Sequence, residues 1–340
     1  MVKAVLVGCG AMSRAWLEAA RDCGVDVAGL VDIDVDHARG RAAEFGLETA
    51  VVGTDLDAVL AEVRPDVVFD VALPLSRRGI VETALKRGAH VLTEKPLAAS
   101  PEDARAIVAA ARQANRLHAV IQNRRYLAEA RRIRRVVASG AIGVPTSIHC
   151  EFFVPPHFGG FREEMQHVLL LDMAIHTFDS ARFLSASDPR GVFCREWEPK
   201  GTWYQQGSAA AAIFEMTGGV VFTYVGSWCA DGIRTSWESA WRIVGDRGSL
   251  VWDGYDGIRA EARSGGRDGL FDTVEALEVP PLDAGDRVGG HLGVIQDFLA
   301  AVESGKAPET QGTDNIRSLA MVFGAIESSE TGRFVEIEEG

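Results

Sequence analysis

The first 121 residues alternate short apolar runs with stretches of helical periodicity, and this alternation constrains the fold more than any other feature of the sequence. Apolar strands that are connected through helices form a parallel sheet with both faces covered. We therefore expect residues 1–121 to form an α/β domain with a doubly wound parallel sheet. The predicted strands are 3–7, 26–31, 67–72, 90–93 and 118–121.

Beyond residue 121 the pattern changes to a run of strands. They are predicted at 147–153, 208–216, 220–228, 236–244 and 248–253, with helices at 168–184, 292–303 and 315–327. Hairpin-rich strands with helices packed on one side are typical of an α+β domain. We therefore expect residues 122–340 to form a second domain on a large, mainly antiparallel open sheet.

Charge and cysteine usage narrow the possible partners and compartment. The net charge of −13 argues against a nucleic acid or an anionic membrane as partner. The five cysteines never occur as Cys-x-x-Cys, which favours reduced thiols in a cytoplasm over a disulfide framework or a zinc site. The apolar run near the start is short, broken by glycine and followed by charges, so it predicts a strand rather than a signal peptide. We expect a cytoplasmic protein.

Glycines follow the first predicted strand, and a carboxylate ends the second. Gly8-x-Gly10 precedes a helix, with Ser13 at the position of the third glycine of the dinucleotide fingerprint. Asp32 stands 24 residues after Gly8, near the spacing at which a carboxylate accepts the ribose hydroxyls. The alternatives are that the glycines serve only the turn and that Asp32, Asp34 and Asp36 merely start a helix.

Two further strand ends carry Leu73-Pro74 and Glu94-Lys95. Parallel sheets bind ligands at the carboxyl ends of their strands, so four sequence segments are expected to meet at one edge as a dinucleotide site. A turn proline that merely ends a strand is the alternative for Pro74. A carboxylate at position 32 would repel the additional phosphate of NADP, which favours NAD. The residues expected to bind the cofactor are Gly8, Gly10, Ala11, Met12, Asp32, Leu73, Pro74, Glu94 and Lys95.

Lys95 is a candidate for proton chemistry at this edge. Pro96 fixes its own φ and keeps Lys95 out of the helical region, so the ammonium is presented on a stiff turn. The pKa of a lysine falls readily on burial or beside another cation, which suits chemistry near neutral pH. Taken alone, a solvated lysine beside a loop proline is the simpler interpretation.

Asp172-x-x-x-His176 lies in a predicted helix that is otherwise apolar nearly all round. Residues four apart share a helix face, and buried polar groups need partners. The two side chains could satisfy each other, or they could bind zinc together with His157 or His167, although the spacing is not that of a compact zinc site. If the helix faces the cofactor crevice, His176 can accept a hydroxyl proton near neutral pH.

These residues together resemble the Gfo/Idh/MocA family of glucose–fructose oxidoreductase and inositol dehydrogenase-like proteins, over nearly the whole chain. The resemblance rests on Gly8-Cys9-Gly10, on Glu94-Lys95-Pro96 and on the segment from Leu171 to His176, with weaker matches at 124–126, 139–143 and 245–250. It implies a Rossmann domain, NAD as cofactor and a sugar or polyol as substrate.

The resemblance also implies roles for individual residues. Lys95 would polarise and orient the reacting hydroxyl, Asp172 would hold another hydroxyl or the histidine, and His176 would take the proton. No metal is implied. Arg124, Arg125, Tyr126 and His157 are expected to contact the substrate, and aromatic residues at 228–237 could line a sugar pocket or simply pack in the sheet core.

The sequence departs from the family pattern at three places. The usual glycine-rich segment before the aspartate is Met165-Gln166-His167-Val168, the usual Thr-Pro is Leu73-Pro74, and the histidine usual four residues after that proline is Arg78. Because the catalytic set is intact, these departures bear on substrate identity more than on activity.

We therefore predict an NAD-dependent dehydrogenase that removes hydride from a secondary or anomeric hydroxyl of a sugar or polyol. The family resemblance further implies a homodimer or homotetramer formed through the second sheet. Two alternatives stay open: a glycosidase-like enzyme that recycles NAD through a keto-sugar, and a non-catalytic sugar or dinucleotide sensor.

Overall fold

A computed structural model describes residues 1–338, and contacts between Cα atoms divide the chain into two compact units. Among the described residues, unit 1 comprises Met1–Tyr126 and Arg287–Ile316, and unit 2 comprises Leu127–Asp286 and residues 317–338. The division differs from the expected one at 121 because the chain returns to the first unit after completing most of the second. Periodicity along the sequence carries no sign of such a return.

Unit 1 contains the expected parallel sheet. Its six strands run in the order β3-β2-β1-β4-β5-β6, which is the doubly wound order, and all neighbours are parallel. The strands are β1 (Lys3–Val7), β2 (Asp26–Val31), β3 (Val51–Gly53), β4 (Val67–Asp70), β5 (His90–Thr93) and β6 (His118–Val120). The sequence did not predict β3, because three residues are too few to show a period.

Helices cover both faces of this sheet, and side chains cap several of them. They are α1 (Ser13–Asp22), α2 (Val35–Glu44), α3 (Leu56–Val63), α4 (Pro74–Lys86) and α5 (Pro101–Ala114). Asp34, Asp55 and Ser100 each accept a backbone N–H in the first turn of α2, α3 and α5, respectively. A satisfied cap stabilises a helix by about 1 kcal/mol.

Unit 2 is built on nine strands in the order β14-β13-β12-β11-β7-β10-β9-β8-β15. Neighbouring strands are antiparallel except β7 and β10, which are parallel, so the expectation of a mainly antiparallel sheet is confirmed. The elements after α5 are α6 (Ala128–Ala138), β7 (Pro145–Phe153), α7 (Phe161–Glu164), α8 (Ile175–Ser185), β8 (Pro189–Trp197), β9 (Ala209–Met216), β10 (Val221–Ser227), β11 (Ala240–Gly245), β12 (Gly248–Trp252), β13 (Ile258–Asp268), β14 (Phe271–Leu277), α9 (His291–Ser304), α10 (Gly312–Thr331) and β15 (Val335–Glu336).

One face of this sheet packs against α8. The ring of Phe178 lies 4.8 Å from that of Phe214, 6.0 Å from that of Phe222 and 5.2 Å from that of Tyr224, in edge-on arrangements that aromatic pairs favour. The sequence did not predict β13 and β14, because most of their residues are exposed and carry no alternating apolar pattern.

The helix predicted at 168–184 is not uniform. It begins with a π-helical segment, Leu169–Ala174, and continues as α8. A π-helical segment widens the turn by one residue and often occurs at functional sites. Asp172 lies in the wide segment and His176 in the first turn of α8.

The core of unit 1 includes residues from both of its chain segments. Val294, Ile295 and Phe298 of α9 are fully buried in the same cluster as Trp16 and Phe69. Burying one phenylalanine side chain contributes roughly 2–3 kcal/mol. The late helix α9 is therefore an integral part of the first unit.

Within residues 1–338, no helix is long and apolar enough to cross a membrane. All five cysteines are free thiols, and Cys9, Cys150 and Cys194 are buried.

Candidate active site

The glycine turn after β1 is shaped by a close backbone approach. Gly8 has φ +91°, and a Cβ atom there would lie 2.7 Å from the backbone nitrogen of Ala72, so only glycine fits. A Cβ atom at Gly10 would meet nothing within 4 Å. Gly8 therefore serves the contact between the ends of β1 and β4, while Gly10 borders open space.

Ser13 replaces the third glycine of the fingerprint and stabilises the turn in a different way. Its buried hydroxyl donates to the carbonyl of Gly10 at 2.6 Å. Gly10, Ala11 and Met12 are exposed where α1 begins, and the first N–H groups of a helix can bind phosphate there. The incomplete motif thus still presents the surface that a pyrophosphate requires.

The Asp32 carboxylate is fixed at the end of β2 by two backbone donors. The N–H of Cys9 donates to Oδ2 at 2.7 Å, and the N–H of Asp34 donates to Oδ1 at 2.9 Å. Asp34 caps α2 and Asp36 lies in its first turn, as the helix-starting alternative expects of these two residues, whereas Asp32 precedes the cap. Asp32 instead links β2 to the glycine turn, where a ribose would lie.

Arg41 of α2 also holds the glycine turn, and sequence reasoning missed it. Its buried guanidinium donates to the carbonyl of Gly10 at 2.9 Å. Arg41 lies in a helix with several other charged residues, so nothing in the sequence distinguishes it as buried.

Leu73 and Pro74 lie where the chain leaves the β4 edge. Pro74 occupies the first turn of α4, where its missing N–H costs nothing, and Leu73 is 65% exposed. Both residues are therefore available to a ligand at the carboxyl end of the sheet.

The Glu94 side chain is buried at the end of β5 and anchors the turn that carries Lys95. Its carboxylate accepts the Trp16 indole N–H at 3.1 Å and the backbone N–H of Lys95 at 2.8 Å, and His291 lies 3.6 Å away. Burial would raise the pKa of Glu94, but His291, the Lys95 charge and the Trp16 hydrogen bond outweigh it and lower the pKa. The Glu94 carboxylate thus anchors the turn from inside the unit. Its contact with a cofactor stays a prediction. The Lys95–Pro96 peptide bond is cis.

Arg77 of α4 holds the same turn from the other side. It is fully buried, donates from Nε to Asp70 Oδ2 at 3.0 Å and from Nη2 to the Ala72 carbonyl at 2.7 Å, and also donates to the Pro96 carbonyl. Burial raises the pKa of Asp70, and the Arg77 guanidinium opposes that shift. This one side chain connects the end of β4 with the turn after β5.

Of the residues expected to contact the substrate after β6, two have structural roles. Arg125 donates to Asp314 at 2.8 Å, and Tyr126, which is 1% exposed, donates to Asp297 at 2.9 Å. Both side chains are buried in these bonds, and their contact with a substrate stays a prediction. Arg124 lies on the same 3₁₀ turn, and its substrate contact stays a prediction.

In unit 2, Asp172 pairs with a residue that the sequence did not single out. Arg162 donates from Nε to Asp172 Oδ2 at 2.7 Å, so the carboxylate has a cationic partner within its own unit. His176 is partly exposed at the start of α8. Both predicted groups are therefore only partly buried.

The other histidines near this helix have different partners. His157 is exposed and stacks on Trp203 at 3.6 Å between ring centres, which leaves it able to contact a substrate. The hydrogen bond to Glu196 raises the pKa of His167. Across residues 1–338, no group of three or more His, Cys, Asp or Glu side chains is arranged to hold a metal ion.

The aromatic stretch at 228–237 divides between core and surface. Trp228 is 1% exposed and packs against Phe158 and Tyr204, whereas Trp237 is 46% exposed. Core packing, the simpler expectation, accounts for Trp228.

Comparison with known proteins matches both parts of the chain. A family described as an oxidoreductase family with an NAD-binding Rossmann fold, GFO_IDH_MocA, matches residues 2–122, and a GFO/IDH/MocA C-terminal domain matches residues 130–251. A 1,5-anhydro-D-fructose reductase of Ensifer adhaerens is 27% identical over 98% of both chains. A D-apiose dehydrogenase of Paraburkholderia graminis is 27% identical over 99% of this chain and 90% of its own.

Solved structures share the fold. An oxidoreductase of Agrobacterium radiobacter, crystallised with NAD⁺, L-tartaric acid and magnesium, superposes with a TM-score of 0.86 at 24% identity, covering 99% of this chain and 98% of that one.

The two adjacent arginines of α4 provide a direct test of the anchoring role. Replacing Arg77 by Met leaves Asp70 as an uncompensated buried carboxylate and should lower the free energy of unfolding by about 3–5 kcal/mol. Arg78→Met is the matched control, because Arg78 is half-exposed and pairs on the surface with Glu82 and Asp103, for a loss of at most about 1 kcal/mol. Urea denaturation measures the free energy of unfolding of both variants. Equal unfolding midpoints for Arg77→Met and Arg78→Met would rule out the anchoring role.

Proposed function

The chain belongs to the Gfo/Idh/MocA oxidoreductase family, whose N-terminal domain is an NAD-binding Rossmann fold, and on that premise we propose that it is an NAD-dependent dehydrogenase of a sugar or polyol. The reaction would transfer a hydride between a secondary or anomeric C–OH carbon and the nicotinamide. Relatives named as a 1,5-anhydro-D-fructose reductase and a D-apiose dehydrogenase support a carbohydrate substrate.

The observation that carries the proposal is the arrangement at the carboxyl edge of the unit 1 sheet. Adjacent strands β2, β1, β4 and β5 bring Asp32, the glycine turn, Leu73-Pro74 and Lys95 to one edge. Hydrogen bonds of buried and partly buried groups fix these segments. If the glycines served only the turn, nothing would require a fixed carboxylate and a fixed lysine-bearing turn beside them.

The residues at this edge fit an NAD molecule. The open space at Gly10 and the exposed start of α1 suit the pyrophosphate, while the fixed Asp32 carboxylate suits the ribose hydroxyls. Leu73 and Pro74 would border the nicotinamide. When bound, the cofactor supplies the hydride acceptor, and the protein supplies orientation and a proton acceptor.

We assign the proton and the reacting hydroxyl to three side chains. Lys95 would donate to the reacting oxygen and orient it, while Asp172 would hold a neighbouring hydroxyl. His176 would take the hydroxyl proton, since an imidazole titrates near neutral pH. That these three groups act on one substrate stays a prediction from the family resemblance.

A second copy of the chain is the partner we propose for unit 2. Its sheet carries large apolar side chains that stay exposed on adjacent strands, among them Phe193 (46% exposed) and Ile213 (53% exposed), which pair across β8 and β9. Exposed apolar patches of this kind mark interaction surfaces. We therefore propose a homo-oligomer formed through this face.

Substituting Lys95 tests the enzymatic proposal. Purified protein with NAD is screened against aldoses, inositols and anhydrosugars by the absorbance of reduced cofactor. Lys95→Ala should lower kcat on the best substrate by about 10²–10⁴-fold while NAD affinity stays unchanged. Lys86→Ala, an exposed lysine of α4, is the control. An unchanged rate in Lys95→Ala would remove this mechanism, and turnover of a glycoside without net NADH would favour the NAD-recycling alternative.

Substituting Asp32 tests the cofactor preference. Asp32→Ser should reduce the NAD-over-NADP ratio of kcat/KM by about tenfold or more, because the repulsion of the additional phosphate disappears. Asp36→Ser removes an exposed carboxylate of α2 and should leave the ratio unchanged. A wild-type enzyme that already prefers NADP would contradict the assignment.

A charge at Ile213 tests the oligomer. Ile213→Asp should shift the mass measured by light scattering to that of one chain, since a carboxylate is costly to bury in an apolar interface. Leu270→Asp, on a residue that is 93% exposed in the turn between β13 and β14, is the control. A wild-type protein that elutes as a monomer would disprove the proposal.

A further inference from the structure

Arg162 occupies an unusual position for a surface arginine of a short helix. It lies in the four-residue helix α7, directly after Gly159 and Gly160, which both have positive φ. Its side chain is only 32% exposed and reaches Asp172, whose side chain is 15% exposed. A pair this shielded from water interacts more strongly than an ordinary surface ion pair.

The guanidinium is held by more than its carboxylate partner. Its central carbon lies 4.9 Å from the ring centre of Phe158 and 4.9 Å from that of Phe161. Phe158 is itself fixed, because its ring packs 5.3 Å from that of Trp228 and 6.2 Å from that of Trp237. Cation–π contacts of this kind are attractive, because the faces of aromatic rings carry negative charge density. The two rings therefore restrict where the guanidinium can lie.

The segment that carries Arg162 is anchored at both ends. The N–H of Gln205 donates to the Glu163 carbonyl at 2.8 Å, and the N–H of Gly159 donates to the Glu163 carboxylate at 3.1 Å. The Tyr204 hydroxyl donates to the Pro156 carbonyl at 2.5 Å. Burial raises the pKa of Tyr204 to about 12, so this donor stays protonated. The contact with Asp172 is thus built into the unit rather than made by a free surface side chain.

We propose that Arg162 is a positioning residue, which holds Asp172 ionised and in one orientation for substrate binding. This inference rests on the proposed function, because it gives Asp172 a role toward a substrate hydroxyl. A cation at 2.7 Å favours the charged form of a carboxylate, and a directed Nε–H bond restricts its rotation. The charged or titratable groups beside this pair include Glu163, which adjoins Arg162 in α7, and Tyr204, whose pKa is raised by burial and by the charges of Glu163 and Asp172.

Two substitutions at position 162 separate the effect of the arginine's charge from that of its geometry. A lysine at position 162 would keep the positive charge but lose the planar group that fits between the two rings and the fixed N–H direction. A glutamine would lose the charge. The two substitutions should therefore differ in how activity depends on pH.

The experiment is a double-mutant cycle read by kinetics and pH. We expect Arg162→Gln to lower kcat/KM on the best sugar about tenfold to a hundredfold and to move the acid-side loss of activity to higher pH. Arg162→Lys should retain more of the rate than Arg162→Gln and should leave the acid limb of the pH–activity profile unchanged. In an Asp172→Asn background, Arg162→Gln should change the rate by less than about threefold, because its partner is already neutral. Arg267→Gln removes a positive charge from the exposed β13–β14 hairpin and should have no effect.

Several results would overturn the positioning role. One is that the Arg162 and Asp172 substitutions lower the rate independently, so that their effects multiply. Another is that the acid limb of the pH–activity profile does not move in Arg162→Gln. The third is that Asp172→Asn keeps the full rate. If Arg162→Gln does not fold, Arg162→Lys is carried through the same cycle, and an equal loss in both backgrounds counts against the inference.

Failure of the proposed function is seen separately. If the wild-type protein with NAD reduces no cofactor with any sugar, the dehydrogenase proposal fails. The same cycle is then read on the dissociation constant of a polyol, measured by calorimetry. Coupling between positions 162 and 172 would keep the positioning role, whereas additive effects or no binding of any polyol would remove it as well.

Discussion

The buried contact between Arg77 and Asp70 is the interaction on which the unit 1 site depends. One guanidinium without solvent exposure binds the carboxylate at the end of β4, the carbonyl of Ala72 beyond it and the carbonyl of Pro96. An ion pair of this kind does little for stability compared with apolar packing, but breaking it leaves a charge in the core. It therefore fixes the relative position of the two loops that follow β4 and β5.

The other segments of the edge are fixed in the same manner, by polar groups that lie inside rather than at the surface. Asp32 accepts two backbone N–H groups, and Glu94 accepts an indole and a backbone N–H. Both are acceptor-only groups when ionised, so their hydrogen bonds orient the neighbouring turns. The Gfo/Idh/MocA edge of this chain is thus ordered by internal carboxylates and two internal arginines, Arg41 and Arg77.

The sequence predicted what depends on local patterns. Apolar strands identified the parallel sheet, and Gly8, Asp32 and Lys95 were singled out because each follows a strand. It could not find Arg77, since Arg77 and Arg78 are identical neighbours and only the packing of α4 decides which one is buried. Trp16 bonds to Glu94 across 78 residues, and Arg162 reaches Asp172 from a four-residue helix. The bonds of Arg125 and Tyr126 could not be predicted for the same reason, because their partners Asp314 and Asp297 lie far along the chain.

The division of unit 1 between two chain segments affects how the protein can be made. Val294, Ile295 and Phe298 close the core around Trp16 and Phe69, yet they leave the ribosome only after nearly all of unit 2 has been synthesised. Domains generally fold as units during synthesis, starting from the N-terminus. Here the N-terminal 126 residues keep an uncovered apolar surface until residues 127–286 have been translated. The nascent chain is therefore a natural client for chaperones during that interval.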